Sequence, residues 1–114
     1  MMQEKTVAVI IRKSPHGSIY PNEGLRLAAA LGEEFEPVTI IMNDGIYAFL
    51  KETENSSYQS HLNVLAEKGK KILVDKKSMD ERGITPDELL TDVAIKEREE
   101  IHRILTKMEV VLTF

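Results

Sequence analysis

The sequence contains no cysteine and no tryptophan, and only 5% of its residues are aromatic. Without cysteine there can be no disulfide, thiolate metal site or thiol catalysis within the chain. The low aromatic content argues against a base-stacking platform for single-stranded nucleic acid. Basic residues are also in the minority, 15 against 19 acidic, giving a formal charge of −4. Nucleic acid and anionic membranes both reward a basic face, so neither is expected as a partner. No apolar run is long enough to span a bilayer. The opening MMQEKTVAVIIRK has early acid and lacks the small-residue cleavage site of a signal peptide, so the reading is a cytoplasmic protein.

What remains is an ordinary globular balance, 42% apolar and 30% charged over 114 residues. That length fits a single domain, 1–114, able to bury roughly 60–70% of the surface of its unfolded chain. Three short, unbroken apolar runs rich in β-branched residues read as strands buried on both faces: TVAVII (6–11), PVTIIM (37–42) and KILVD (71–75). VVLT (110–113) closes the chain as another, and 93–95 is a candidate for one more.

Helical patterns fall between these runs. One starts near Asn22 as N-cap, with Glu23 in its first turn, a stripe of Leu25, Ala28, Ala29 and Leu31, and Gly32 as its stop. Asn43-Asp44-Gly45 turns the chain into a short helix over 46–51, and another helix follows over 58–68. Ser78 to Glu81 and Thr85 to Glu88 both have capping-box spacing, the second with Pro86 at the first helical position. The last helix, 97–107, turns Ile101, Ile104, Leu105 and Met108 inward. Alternating strands and helices imply an α/β fold: a three-layer sandwich in which a mostly parallel sheet of about five strands carries helices on both faces.

In such a sheet, ligands collect at the carboxyl ends of the strands. The candidates there are Ser14, His16 and Gly17 after the first strand, Asn43 and Asp44 after the second, and Asp75 and Lys76 after the third. The glycine- and hydroxyl-containing loop 14–24 feeds a helix N-terminus, which suits an anion such as phosphate, sulfate or sulfite. It lacks the Gly-Lys-Ser/Thr of a P-loop, and it can equally be a plain strand-to-helix connection. His16 has the intrinsic pKa of a general base or a sensor, although no nucleophile stands beside it. Asn43 and Asp44 can present a carboxylate to a ligand, or simply cap the next helix while Gly45 takes an angle other residues avoid. Asp75 can pair with a lysine or cap a turn, and Lys76 and Lys77 can form a solvated edge. His61 and His102 have no second ligand at helical spacing. No metal and no cofactor are expected.

Three features taken in order resemble the DsrE/DsrF family, and within it the DsrF/TusC-type subunit. The first strand leads to Ser14-Pro15-His16-Gly17 and then to Glu23-Gly24-Leu25 opening a helix. The second leads to Asn43-Asp44-Gly45-Ile46-Tyr47, and the third leads through Met79 to Arg82-Gly83-Ile84, with Val110 to Phe114 closing the chain. The resemblance implies a subunit of a trimer or hexamer, either a homo-oligomer or a hetero-oligomer with a cysteine-bearing DsrE-like chain, working in sulfur relay. Active subunits of the family carry a persulfide cysteine at the end of strand three, eight residues before the glycine of the Arg-Gly pair. Asp75 stands at that position here, and a carboxylate cannot hold a persulfide. The resemblance therefore implies a non-catalytic partner subunit. The alternative is a small-ligand (anion or nucleotide) binding protein, or a non-thiol enzyme, working at the strand ends.

Overall fold

The run TVAVII forms strand β1, Thr6–Ile11, and it lies inside the sheet, with a parallel neighbour on each side. The computed structural model describes residues 6–15, 18–32, 35–53, 55–90 and 93–114. The remaining strands are β2 (Glu36–Ile41), β3 (Lys71–Asp75), β4 (Ala94–Lys96) and β5 (Val110–Thr113). All four pairings are parallel, in the order β4-β3-β2-β1-β5. The helices are α1 (Tyr20–Leu31), α2 (Gln59–Glu67), α3 (Lys76–Glu81) and α4 (Arg98–Thr106). Two 3₁₀ segments, Asn43–Phe49 and Pro86–Glu88, complete the regular structure among the described residues.

The strand order dictates the layers. From β1 to β4 the chain steps one position at a time in one direction. Right-handed crossovers then place every connection on the same face, and the return from β4 to β5 places α4 on the other. The packing follows this rule. Val7, Val9, Ile11, Ile41, Ile72 and Val74 face Leu25 and Ala28 of α1, Leu62 and Leu65 of α2, and Met79 of α3. The alternate residues Ala8, Ile10, Ile40 and Leu73 face Ile101 of α4, flanked by the half-buried Ile104, Leu105 and Met108. The inward set expected for the last helix thus points at the sheet, but only Ile101 is fully enclosed.

Several local expectations are corrected. Helix α1 starts two residues early, at Tyr20, with Pro21 in its first turn, and Asn22 is not its cap. Gly32 ends that helix in a right-handed conformation; the left-handed stops are Gly69 and Gly83, both at φ 65°. The Asn43-Asp44-Gly45 turn uses its residues differently from the expectation. Asn43 takes the left-handed angle, φ 53°, and Met42, the residue before the 3₁₀ segment, gives it no side-chain cap. Gly45 is needed for space, because a Cβ there would run into the carbonyl of Ile11. The helix expected from Ser78 in fact begins at Lys76, directly after the last residue of β3, and its cap is that residue, Asp75.

Candidate functional site

Connections leaving the carboxyl ends of β3 and β4 diverge to opposite faces, which makes the seam between these strands the topological switch point of the sheet. Asp75 ends β3 opposite Lys96 of β4, and Arg98 opens α4 just beyond. The Asp75 side chain is completely enclosed. Its Oδ2 accepts hydrogen bonds from the Ser78 amide at 3.2 Å, the Ser78 hydroxyl at 2.6 Å and Arg98 Nη2. Its Oδ1 accepts from Arg98 Nε at 3.4 Å. The pairing is side-on, the geometry in which a guanidinium holds a carboxylate most firmly. Burial alone would push the Asp75 carboxyl up. The hydrogen bonds of Arg98 and Ser78, with the Arg98 charge, outweigh it and hold the carboxyl below the ordinary aspartate range.

Ser78 links this pair to the rest of the sheet edge. Its hydroxyl oxygen accepts the Asn43 amide at 2.9 Å while its proton goes to Asp75. Arg82 donates to the Ser78 carbonyl at 3.1 Å, and to Asp44 Oδ1 through Nε at 3.2 Å and Nη2 at 3.0 Å. Asn43, Asp44 and Asp75, from two different strand ends, are thereby joined through Ser78 and Arg82. Lys76 is outside this network and pairs with Asp80 at 2.9 Å on the surface. Ser14 lies half-buried in the loop after β1. His16 and Gly17 lie outside the described residues. Among the described residues no group of His, Asp and Glu is arranged to hold a metal, and no helix is long and apolar enough to cross a membrane.

The sequence reading missed Ser78, Arg82 and Arg98 as site residues. Ser78 carried a usable signal, since it stands three residues after Asp75, where an N-cap carboxylate meets the backbone of N3. Arg98 carried none, because its partnership with Asp75 depends on which strands are neighbours.

Beside this network, at the carboxyl ends of β1, β2 and β5, lies an open cleft of about 530 Å³ lined by Arg12, Lys13, Tyr20, Asn43, Asp44, Arg82, Thr113 and Phe114. The Arg12 amide donates to the Phe114 carbonyl at 2.6 Å, which ties the last strand to the floor of the cleft.

An all-parallel, five-stranded α/β sheet with a capped acid at its switch point describes the class of protein. The DsrE/DsrF-like family model matches residues 5–114, and the chain belongs to that family. Among solved structures, the YchN protein of E. coli is 28% identical, with a TM-score of 0.83 over 98% of this chain and 100% of that one. The MTH1491 protein of Methanobacterium thermoautotrophicum is 16% identical, with a TM-score of 0.72 over 98% of this chain and 100% of its own, and shares the fold. No curated protein matches the chain at a significant level.

Proposed function

We propose that this chain is a non-catalytic DsrE/DsrF-like subunit of the DsrF/TusC type, acting in the cytoplasm as an oligomeric partner in sulfur relay. The observation that carries the reading is the state of Asp75. The position where active relatives need a free, polarisable nucleophile holds an enclosed carboxylate saturated by Ser78 and Arg98. Such a group has no sulfur to form a persulfide, and its enclosure and its pairing with Arg98 make it a poor base. The non-thiol enzyme alternative is weakened for the same reason, since Asp44 and Asp75 are both engaged by arginines.

Support for an assembling role comes from the surface. Val111 on the edge strand β5 and Ile19 just before α1 are large apolar side chains left in solvent, and exposed apolar surface of this kind suits a partner. The test is light scattering after size exclusion, combined with capture by a cysteine-bearing DsrE-like chain. A trimer, a hexamer or a stable mixed complex supports the reading. A monomer that captures no such chain overturns it. Incubation with a sulfur donor should leave the intact mass of this subunit unchanged, and an added sulfur would contradict the non-catalytic assignment.

A further inference from the structure

The cleft at the ends of β1, β2 and β5 carries a charge imbalance that the Asp75 network does not explain. Three cations, Arg12, Lys13 and Arg82, share its lining with one carboxylate, Asp44. Asp44 is satisfied by Arg82. Among the described residues, no carboxylate lies within ion-pair distance of Arg12 or Lys13. Even a free carboxylate at Phe114 would leave a surplus of one positive charge. Two adjacent cations held at a strand end, in a protein whose overall charge is −4, favour a compact anion that enters the cleft. They do not suit a long polyanion, which the rest of the surface would repel.

The walls specify more than charge. Tyr20 is 52% exposed although it is large and aromatic. Phe114 packs over α1 at Gly24, where an added Cβ would come within 3.1 Å of its ring. The absence of a side chain at Gly24 is what lets this ring settle beside the cleft. Thr113 and Asn43 add polar groups to the lining. Aromatic surface, a few polar groups and unpaired cations in a concave space of several hundred Å³ are the ordinary makings of a small-molecule site.

We propose that this cleft binds a small organic phosphate of the nucleoside monophosphate class, with its phosphate on Arg12 and Lys13 and its ring against Tyr20 and Phe114. The site uses neither Asp75 nor Arg98. Its failure would leave the partner-subunit reading untouched, and the converse also holds.

The test is titration calorimetry at low ionic strength with adenosine monophosphate, adenosine and inorganic phosphate as separate probes. The nucleotide should bind at least about tenfold more tightly than either fragment, because only it engages both halves of the site. The double variant R12Q/K13Q, altered at two exposed positions, should lose about tenfold or more of that affinity. A control variant, Lys107→Gln, should keep it. Absence of binding at millimolar nucleotide overturns the proposal, as does equal affinity for inorganic phosphate or full affinity in R12Q/K13Q. Should the double variant fail to fold, amide shifts in the unaltered protein decide: changes centred on Lys13, Tyr20 and Thr113 support the site, and changes elsewhere sink it.

Discussion

The tip of β3 holds one acid between two helices, and its energetics follow from what each donor contributes. Asp75 caps α3 through the Ser78 amide and anchors α4 through Arg98. Removing one member of an enclosed ion pair strands the other, and the cost is commonly about 3 kcal/mol or more. Here Arg98 retains partial access to water, with 26% of its side chain exposed, which places Asp75→Ala near the lower end, at about 3 kcal/mol in urea unfolding at neutral pH. Asp75→Asn keeps the shape and loses the charge, for a cost of about 2 kcal/mol.

The acid limb gives a sharper test. Because the folded carboxyl titrates below its unfolded value of about 3.9, its stabilisation is fully present above that value. It is lost as pH falls through the folded one. The stability gap between the native protein and Asp75→Asn should therefore hold from neutrality to about pH 4 and close below it. A gap that stays constant through the acid range would show that Arg98 and Ser78 do not hold the charged form.

Elements were legible in the sequence where a single local signal decided them. TVAVII, KILVD and VVLT appear as strands with the bounds read from their composition, because fully buried strands of a parallel sheet show up as continuous apolar runs. Thr85 to Glu88 kept its expected box, with Glu88 accepting the Thr85 amide at 3.0 Å. The failures came where a distant element decided. Asn43-Asp44-Gly45 has the composition of a capped turn. What fixes Gly45 is the carbonyl of Ile11, more than thirty residues earlier, and what fixes Asn43 is the hydroxyl of Ser78, a similar distance later.

Two glycines consequently have different reasons to exist. Gly45→Ala presses a methyl against backbone that cannot move aside and should cost at least about 3 kcal/mol. Gly83→Ala meets open space and loses only the left-handed conformation at φ 65°, a cost of about 1–2 kcal/mol. Thermal unfolding of the two variants should separate them in that order; equal losses would refute the steric account of Gly45.

At the scale of the whole molecule, the two faces of the sheet are unequally covered. One is packed by α1, α2 and α3, the other by α4 through a smaller cluster of buried residues. Layer sizes of this kind follow from strand order and could be anticipated only after the order was known. Ile101→Ala should loosen α4 at a cost of about 3 kcal/mol. In native-state hydrogen exchange, α4 amides should exchange ahead of those in β1 and β3. Uniform protection across both faces would count against an independent α4 layer.

The pairing of β5 with β1 brings Val110 beside Val7 and Thr113 beside Ile10, joining segments separated by about a hundred residues. Contacts of such sequence separation form slowly and late. On the ribosome, β1 therefore emerges before β5 with one flank bare, and it stays bare until residue 113 has cleared the exit tunnel. During that interval a nascent chain presents an unsatisfied apolar ribbon to its surroundings, so synthesis of this domain is a natural point for chaperone engagement.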